Sequence, residues 1–269
     1  MNILFLGDIV GKPGRDAVVA ELPKLRTLLK TDLVIANGEN AAGGFGLTRA
    51  IAEEFFAMGI DAISTGNHWA DQKEILTYID SEDRILRPAN YPKGTPGRGA
   101  NLYQTPNGSV LVINAMGRVF MDALDDPFAA VERELTACPL GEGADAIVVD
   151  MHAEATSEKM AMGHFCDGRA SLVVGTHSHV PTADAQILPG GTGYQSDAGA
   201  CADYDSVIGM DKAEPLQRFT RKMSSQRFSP ATGPATLCGV FVVTGAKGLA
   251  TRIEPVRVGG RLKQTLPEL

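Results

Sequence analysis

The 269 residues suffice for one large domain or two small ones, with a substantial buried core. A hydrophobic fraction of 44% with 21% charged residues is globular in balance, and no run approaches the ~20 apolar residues that a bilayer requires. The net charge of −7 argues against a nucleic-acid duplex as main partner, since phosphate backbones recruit basic faces; a small anionic substrate stays open, because bound metal ions reverse the local sign.

In chain order, Asn2–Gly7 (NILFLG) reads as a buried strand. Gly11-Lys12-Pro13-Gly14-Arg15 reads as the turn into a helix over Arg15–Lys30, whose apolar face carries Val18, Val19, Leu22, Leu25, Leu28 and Leu29 and whose pattern Pro23 interrupts. It is not a Walker loop: only three residues separate Gly7 from Gly11, and Pro13 stands where Ser or Thr is required. Asp32–Ala36 is a second strand, Thr48–Met58 a helix, Asp61–Ser64 a third strand and Asp71–Ile79 a helix. This alternation predicts parallel strands flanked by helices. Between them, Ala42-Gly43-Gly44-Phe45-Gly46 is a loop that fails the dinucleotide fingerprint, with Arg49 where a Gly is needed.

Arg84–Gly99, rich in Pro and Gly, reads as a surface loop, so a single domain over 1–269 is expected. Asn101–Thr105 and Ser109–Asn114 form a hairpin around Pro106-Asn107-Gly108. A helix over Pro127–Ala137, a strand over Ala144–Val149, a helix near Ser157–Phe165 and a strand over Ser171–Val174 follow. Pro189–Tyr194 reads as a plain turn, and Thr236–Thr244 with Leu249–Val256 as a second hairpin. The expected fold is mixed α/β: parallel βα units plus antiparallel hairpins, in two sheets covered by helices. Cys138, Cys166, Cys201 and Cys238 form no CxxC pair and read as reduced thiols. The chain opens directly on a strand without a basic, apolar leader, so a cytoplasmic protein is expected.

Polar residues that suit metals collect where strands should end. They are Asp8, then Glu39-Asn40, then Asn67-His68, then His152, then His177-Ser178-His179. Loops at the carboxyl ends of parallel strands converge on a ligand crevice, and the adjacent glycines permit sharp turns. Singly each is weak: an Asp after a strand is more often a cap, Asn67-His68 fits a simple turn, and one His-x-His is more often exposed. The set carries the argument, since four of the five histidines lie in it and only His164 stands apart. His177 and His179, two apart, suit one face of an extended segment. Carboxylate, amide oxygen and imidazole together suit iron, manganese or zinc, and the donors outnumber what one tetrahedral ion takes. Two ions sharing a bridging carboxylate, about 3.5–4 Å apart, fit better.

This arrangement resembles the five-part signature of the calcineurin-like metallophosphoesterases, closest in order and spacing to their bacterial YmdB-like branch, over nearly the whole chain. The resemblance implies a four-layer αββα sandwich and a site with two metal ions, iron or manganese foremost. It places Asp8 and His179 on one metal, Asn67, His152 and His177 on the other, Glu39 bridging both, and His68 at the substrate as general acid. The superfamily's usual Asp-x-His is broken by Val10; the YmdB-like branch shares this gap, and Asn40, after the bridging Glu, would take the missing place rather than only capping a loop. It further implies hydrolysis of 2′,3′-cyclic nucleotides by in-line attack of a metal-bridging hydroxide. The alternatives are a phosphomonoesterase or a non-catalytic regulatory protein on the same fold, the latter motivated by Val10. RNA cleavage fits the acidic balance less well. A homo-oligomer is a general expectation only.

Overall fold

In a computed structural model the chain is described over residues 1–268. One sheet joins β1 (Asn2–Leu6), β2 (Leu33–Asn37) and β3 (Ala62–Ser64) in parallel; β11 (Ala235–Thr244) runs antiparallel to β1 and pairs with β12 (Ala250–Val258) and the short β10 (Ala202–Asp203). The other sheet has the order β4 (Ala100–Thr105), β5 (Gly108–Met116), β6 (Ala146–His152), β7 (Leu172–Thr176), β9 (Gly193–Gln195) and β8 (Gln186–Ile187), with β5, β6, β7 and β9 parallel.

The strands explain themselves by alternation. Ile3 and Phe5, Leu33 and Ile35, and Val240 and Val242 meet Val110 and Val112, Ala146 and Val148, and Leu172 and Val174 in a core between the sheets. Their neighbours Leu4, Leu6, Val34 and Ala36 face the other way, onto Val18, Leu22 and Leu25 of helix α1 (Gly11–Leu29) and Phe55 of α2 (Arg49–Ala57). Ile113, Ile147, Val149 and Val173 likewise face Val131 and Leu135 of α4 (Pro127–Ala137) and Met162 of α5 (Thr156–Phe165). Burial on both faces is why these strands read as continuous apolar runs. The result is a four-layer αββα sandwich.

Several boundaries differ from the sequence reading. Gly11-Lys12-Pro13-Gly14 is the first turn of α1 itself, and Gly14 N–H closes the first helical bond to Val10 O at 3.2 Å. Pro13 is tolerated there because first-turn amides lack helical partners anyway. The helix also continues through Pro23. The helix expected over Asp71–Ile79 shrinks to α3 (Ile75–Tyr78). Ahead of it the chain turns tightly, with Trp69 N–H bonded to Gly66 O and Gln72 Nε2 tied to Phe45 O at 2.7 Å. β6 runs on to His152, because Asp150 and His152 are paired on both sides, with β5 and with β7. Part of the turn expected at Pro189–Tyr194 is the start of β9. Helix α6 (Ala213–Arg221) lies in a stretch for which the sequence reading offered nothing.

Candidate metal centre

The parallel strands of both sheets end on one rim of the sandwich. There the alternation that builds the inter-sheet core continues, but its residues turn polar: Asn37 follows Leu33 and Ile35, Ser64 follows Ala62, Asp150 and His152 follow Val148, and Thr176 follows Val174. All five are fully buried. Asp150 accepts from Ser64 Oγ at 2.6 Å, Thr176 Oγ at 2.7 Å and Asn37 Nδ2 at 3.2 Å, while Asn37 Oδ1 accepts from Glu39 N–H at 3.1 Å. Burial lifts Asp150 to about 7, against His152 and the hydroxyl groups of Ser64 and Thr176. This network ties the ends of β2, β3, β6 and β7 together beneath the candidate ligands.

The network also sets the histidine tautomers. Thr176 gives its proton to Asp150, so its oxygen accepts from His152 Nδ1–H at 2.9 Å. When the ring is neutral, His152 Nε2 is then left with a lone pair. Around that atom stand Asn67 Oδ1 at 2.9 Å, His177 Nδ1 at 3.1 Å and Glu39 Oε1 at 3.2 Å. His177 Nε2 faces Glu154 Oε2 at 3.2 Å, a donor–acceptor pair that leaves Nδ1 an acceptor, toward His152 Nε2. Glu39, His152 and His177 thus offer atoms within 4.8 Å of one another. Gly66 permits this closeness: a Cβ there would lie 2.2 Å from His152 Nε2.

A second group adjoins the first. His179 gives Nδ1–H to Ile208 O at 2.7 Å, which turns Nε2 toward Asp8 Oδ1, 3.8 Å away. Asp8 Oδ1 and Asn40 Oδ1 are buried with no hydrogen-bond partner. Asn40 uses only its Nδ2, toward Gly44 O at 3.1 Å. Leaving a buried acceptor unpaired costs about 1–3 kcal/mol, so two beside a cluster of lone pairs are the mark of a cation site. Glu39 spans the groups, with Oε1 toward His152 and Oε2 accepting from His68 N–H at 3.0 Å. The donor set fits two divalent ions.

Electrostatics agree. Burial raises Asp8. Burial opposes the charge of Glu39 too, yet His152 and His68 hold its carboxyl at about 2. Burial disfavours charged His152, but Glu39, Asp8 and Asp150 push it up to about 9. His177, desolvated and beside His152, falls to about 3. A dense, buried negative charge that must gather positive charge around it is what a cation relieves.

The geometry brings together every sequence-predicted residue: Asp8, Glu39, Asn40, Asn67, His68, His152, His177 and His179. His68 sits at the cavity edge, its Nδ1 on Asp71 Oδ2 at 2.8 Å and its ring edge-on to Phe45. His164 stays outside, exposed on α5. The extended segment expected for His177 and His179 is not what forms: both have left-handed backbone, φ 91° and 64°. That conformation is costly for non-glycine residues and needs support. It comes from buried Lys159, whose Nζ donates to Ser178 Oγ and Asp197 Oδ2, both at 2.8 Å, while Asp197 also accepts from Ser178 N–H at 3.0 Å. The sequence reading missed Lys159, Asp197, Asp150, Thr176, Asp71 and Glu154. A signal for Lys159 existed: it shares the buried stripe of α5 with Met162, Gly163 and Cys166.

Val10, where the superfamily's histidine is absent, packs instead against Ala200, Ala202 and Met210.

A helix-clad double sheet with metal-type donors at its strand ends defines the calcineurin-like metallophosphoesterase fold. The YmdB-like protein family model matches residues 4–256, and the chain belongs to that family. It is 48% identical over 242 residues to the 2′,3′-cyclic-nucleotide 2′-phosphodiesterase of Bacillus subtilis (strain 168), covering 90% of each chain. A solved structure of a hypothetical protein from Thermus thermophilus superposes with TM-score 0.90 at 45% identity, covering 97% of this chain and 100% of the other. A novel phosphatase from Mycoplasma pneumoniae superposes with TM-score 0.89 at 30% identity, covering 96% and 93%.

Proposed function

We propose that this chain is a single-domain, metal-dependent phosphodiesterase that hydrolyses 2′,3′-cyclic nucleotides. The observation that carries the reading is the cluster of lone pairs around Glu39 together with the unpaired buried oxygens of Asp8 and Asn40. The activity of the Bacillus relative supports the substrate class. Asp8, Asn40 and His179 would hold one ion, Asn67, His152 and His177 the other, with Glu39 shared. Iron or manganese suits these donors, and zinc fits the same set. When bound, the ions supply neutralisation of phosphoryl charge and activation of water.

The chain's own residues supply the rest. Asp150 and Thr176 hold His152 with Nε2 forward, and Ile208 O does the same for His179. His68 holds the proton for the leaving group: Asp71 fixes its Nδ1 and leaves Nε2 toward the cavity. As water oxygen joins phosphorus and releases a proton to solvent, the bond to the 2′-oxygen breaks and that oxygen takes the proton from His68 Nε2. A free phosphomonoester would place its leaving oxygen in the same position. No helix among the described residues is long and apolar enough to cross a membrane. A cytoplasmic location and a homo-oligomeric state complete the proposal.

The test is turnover of 2′,3′-cAMP and bis-p-nitrophenyl phosphate by Mn²⁺-loaded protein. Hydrolysis of both is expected. No turnover of either at full metal occupancy overturns the reading in favour of a regulatory role.

A further inference from the structure

The cavity above the candidate ligands has a volume of ≈ 450 Å³, within the range of small-molecule sites. One end is polar, formed by Glu39, His68, His177 and His179. The other end is Val207, Ile208, Met210, Pro215, Phe219 and Phe228. None of these six side chains carries a hydrogen-bonding nitrogen or oxygen.

The turn at Val207–Met210 also engages much of its backbone. Val207 and Met210 exchange hydrogen bonds at 2.9 and 3.0 Å, Gly209 O accepts from Ala231 N–H at 2.9 Å, and Ile208 O is taken by His179 Nδ1–H. The side chains of this wall therefore offer apolar surface. Its floor is fixed: Met210 is buried, and the Arg218 guanidinium lies 3.9 Å over the Phe228 ring. Phe219, on α6, is different. It borders the cavity and is 74% exposed.

We propose that this wall is the nucleobase subsite, with the base stacked on Phe219 over Met210 and Phe228 while the cyclic phosphate lies at the Glu39 and His68 end. The inference rests on the cyclic-nucleotide reading above and adds what decides specificity. Every base has a π-face, so stacking alone is tolerant of sequence. The subsite favours purines over pyrimidines through contact area, and it separates adenine from guanine weakly, because no side chain of the apolar wall reads the base edge.

The experiment compares 2′,3′-cAMP with glycerol 1,2-cyclic phosphate, which carries the same strained ester without a base. In wild-type protein kcat/KM favours the nucleotide. Phe219→Ala is expected to reduce that preference about tenfold, the loss of one base–aromatic stack, and Phe219→Trp to restore it. Calorimetry supplies a readout besides turnover: adenosine 3′-monophosphate should lose about tenfold in affinity relative to inorganic phosphate in Phe219→Ala. An unchanged preference, or equal loss on both substrates, overturns the subsite while the hydrolytic reading stands. Hydrolysis of neither ester by wild-type protein overturns both. A changed molecular mass in light scattering with unchanged preference reassigns Phe219 to a subunit contact and also overturns the subsite.

Discussion

The two ends of the cavity are built in opposite ways. At the polar end, each side chain stands at or just beyond the end of a strand, and its direction is set by backbone pairing and by buried hydrogen bonds such as Asp150–Thr176–His152. At the apolar end, the wall comes largely from the crossing between β10 and β11, where α6 and its flanking turns hold ordinary Val, Ile, Met and Phe residues in place. The first end is specified by chemistry that few residue types supply. The second is specified only by where the chain passes. Catalytic power should therefore be concentrated at the first end and selectivity at the second.

The contrast can be broken or sharpened by substitution. The largest effect belongs to Glu39→Gln, which weakens the proposed shared ligand. Losing the several kcal/mol of charge stabilisation that bound metal gives should lower kcat about 10³-fold, with reduced metal content by elemental analysis. Full activity with full metal content in this variant would refute the bridging role. His68→Ala should lose about 10²-fold in kcat while retaining its metal, and the loss should be smallest on bis-p-nitrophenyl phosphate, whose leaving group needs no proton. A loss that is the same for both leaving groups would remove His68 from proton transfer.

Thr176→Val cuts the chain from Asp150 to His152 without replacing a candidate ligand. Outer-shell losses of this kind weaken metal about 10–100-fold, which a chelator titration would read; an unaltered titration would dissociate the buried network from metal binding. Smallest is an effect on the apolar wall. Glu214, near the start of α6, accepts from Ser225 Oγ and Arg218 Nε, each at 2.7 Å, and so staples the turn after the helix to its first turn. Hydrogen bonds from Ser225 and Arg218 hold its carboxyl at about 2, against desolvation, below the ordinary 4.5. A lowered carboxyl pKa stabilises the fold above the ordinary value and loses that contribution as pH falls toward the lowered one. Wild type should therefore melt slightly above Glu214→Gln at pH 7, and the gap should close on acidification from 4.5 toward 2. A gap that widens in acid would contradict the staple.

Much of this was legible in the residues. The alternating and continuous apolar runs of Asn2–Leu6, Leu33–Asn37 and Leu172–Thr176 dictated buried strands, since only a sandwich covered on both faces hides such runs. Asp8, Glu39, Asn40, Asn67, His68, His152, His177 and His179 stood out because metal-type donors beside strand ends are rare by accident. What the sequence left undecided depends on three-dimensional placement. Asp150 and Thr176 look like interrupted strand ends until β6 and β7 pair and turn them into one network. His177 and His179 look extended until Lys159, from a helix in the neighbouring layer, braces a left-handed turn. Phe219 is an unremarked apolar residue until α6 carries it across to the same cavity as His68. Local pattern determines which strands form and which atoms can bind a cation, because both follow from side-chain type and spacing. Tautomers, backbone strain and the wall facing the site are decided by residues far apart in sequence, and only their packing brings them within bonding distance.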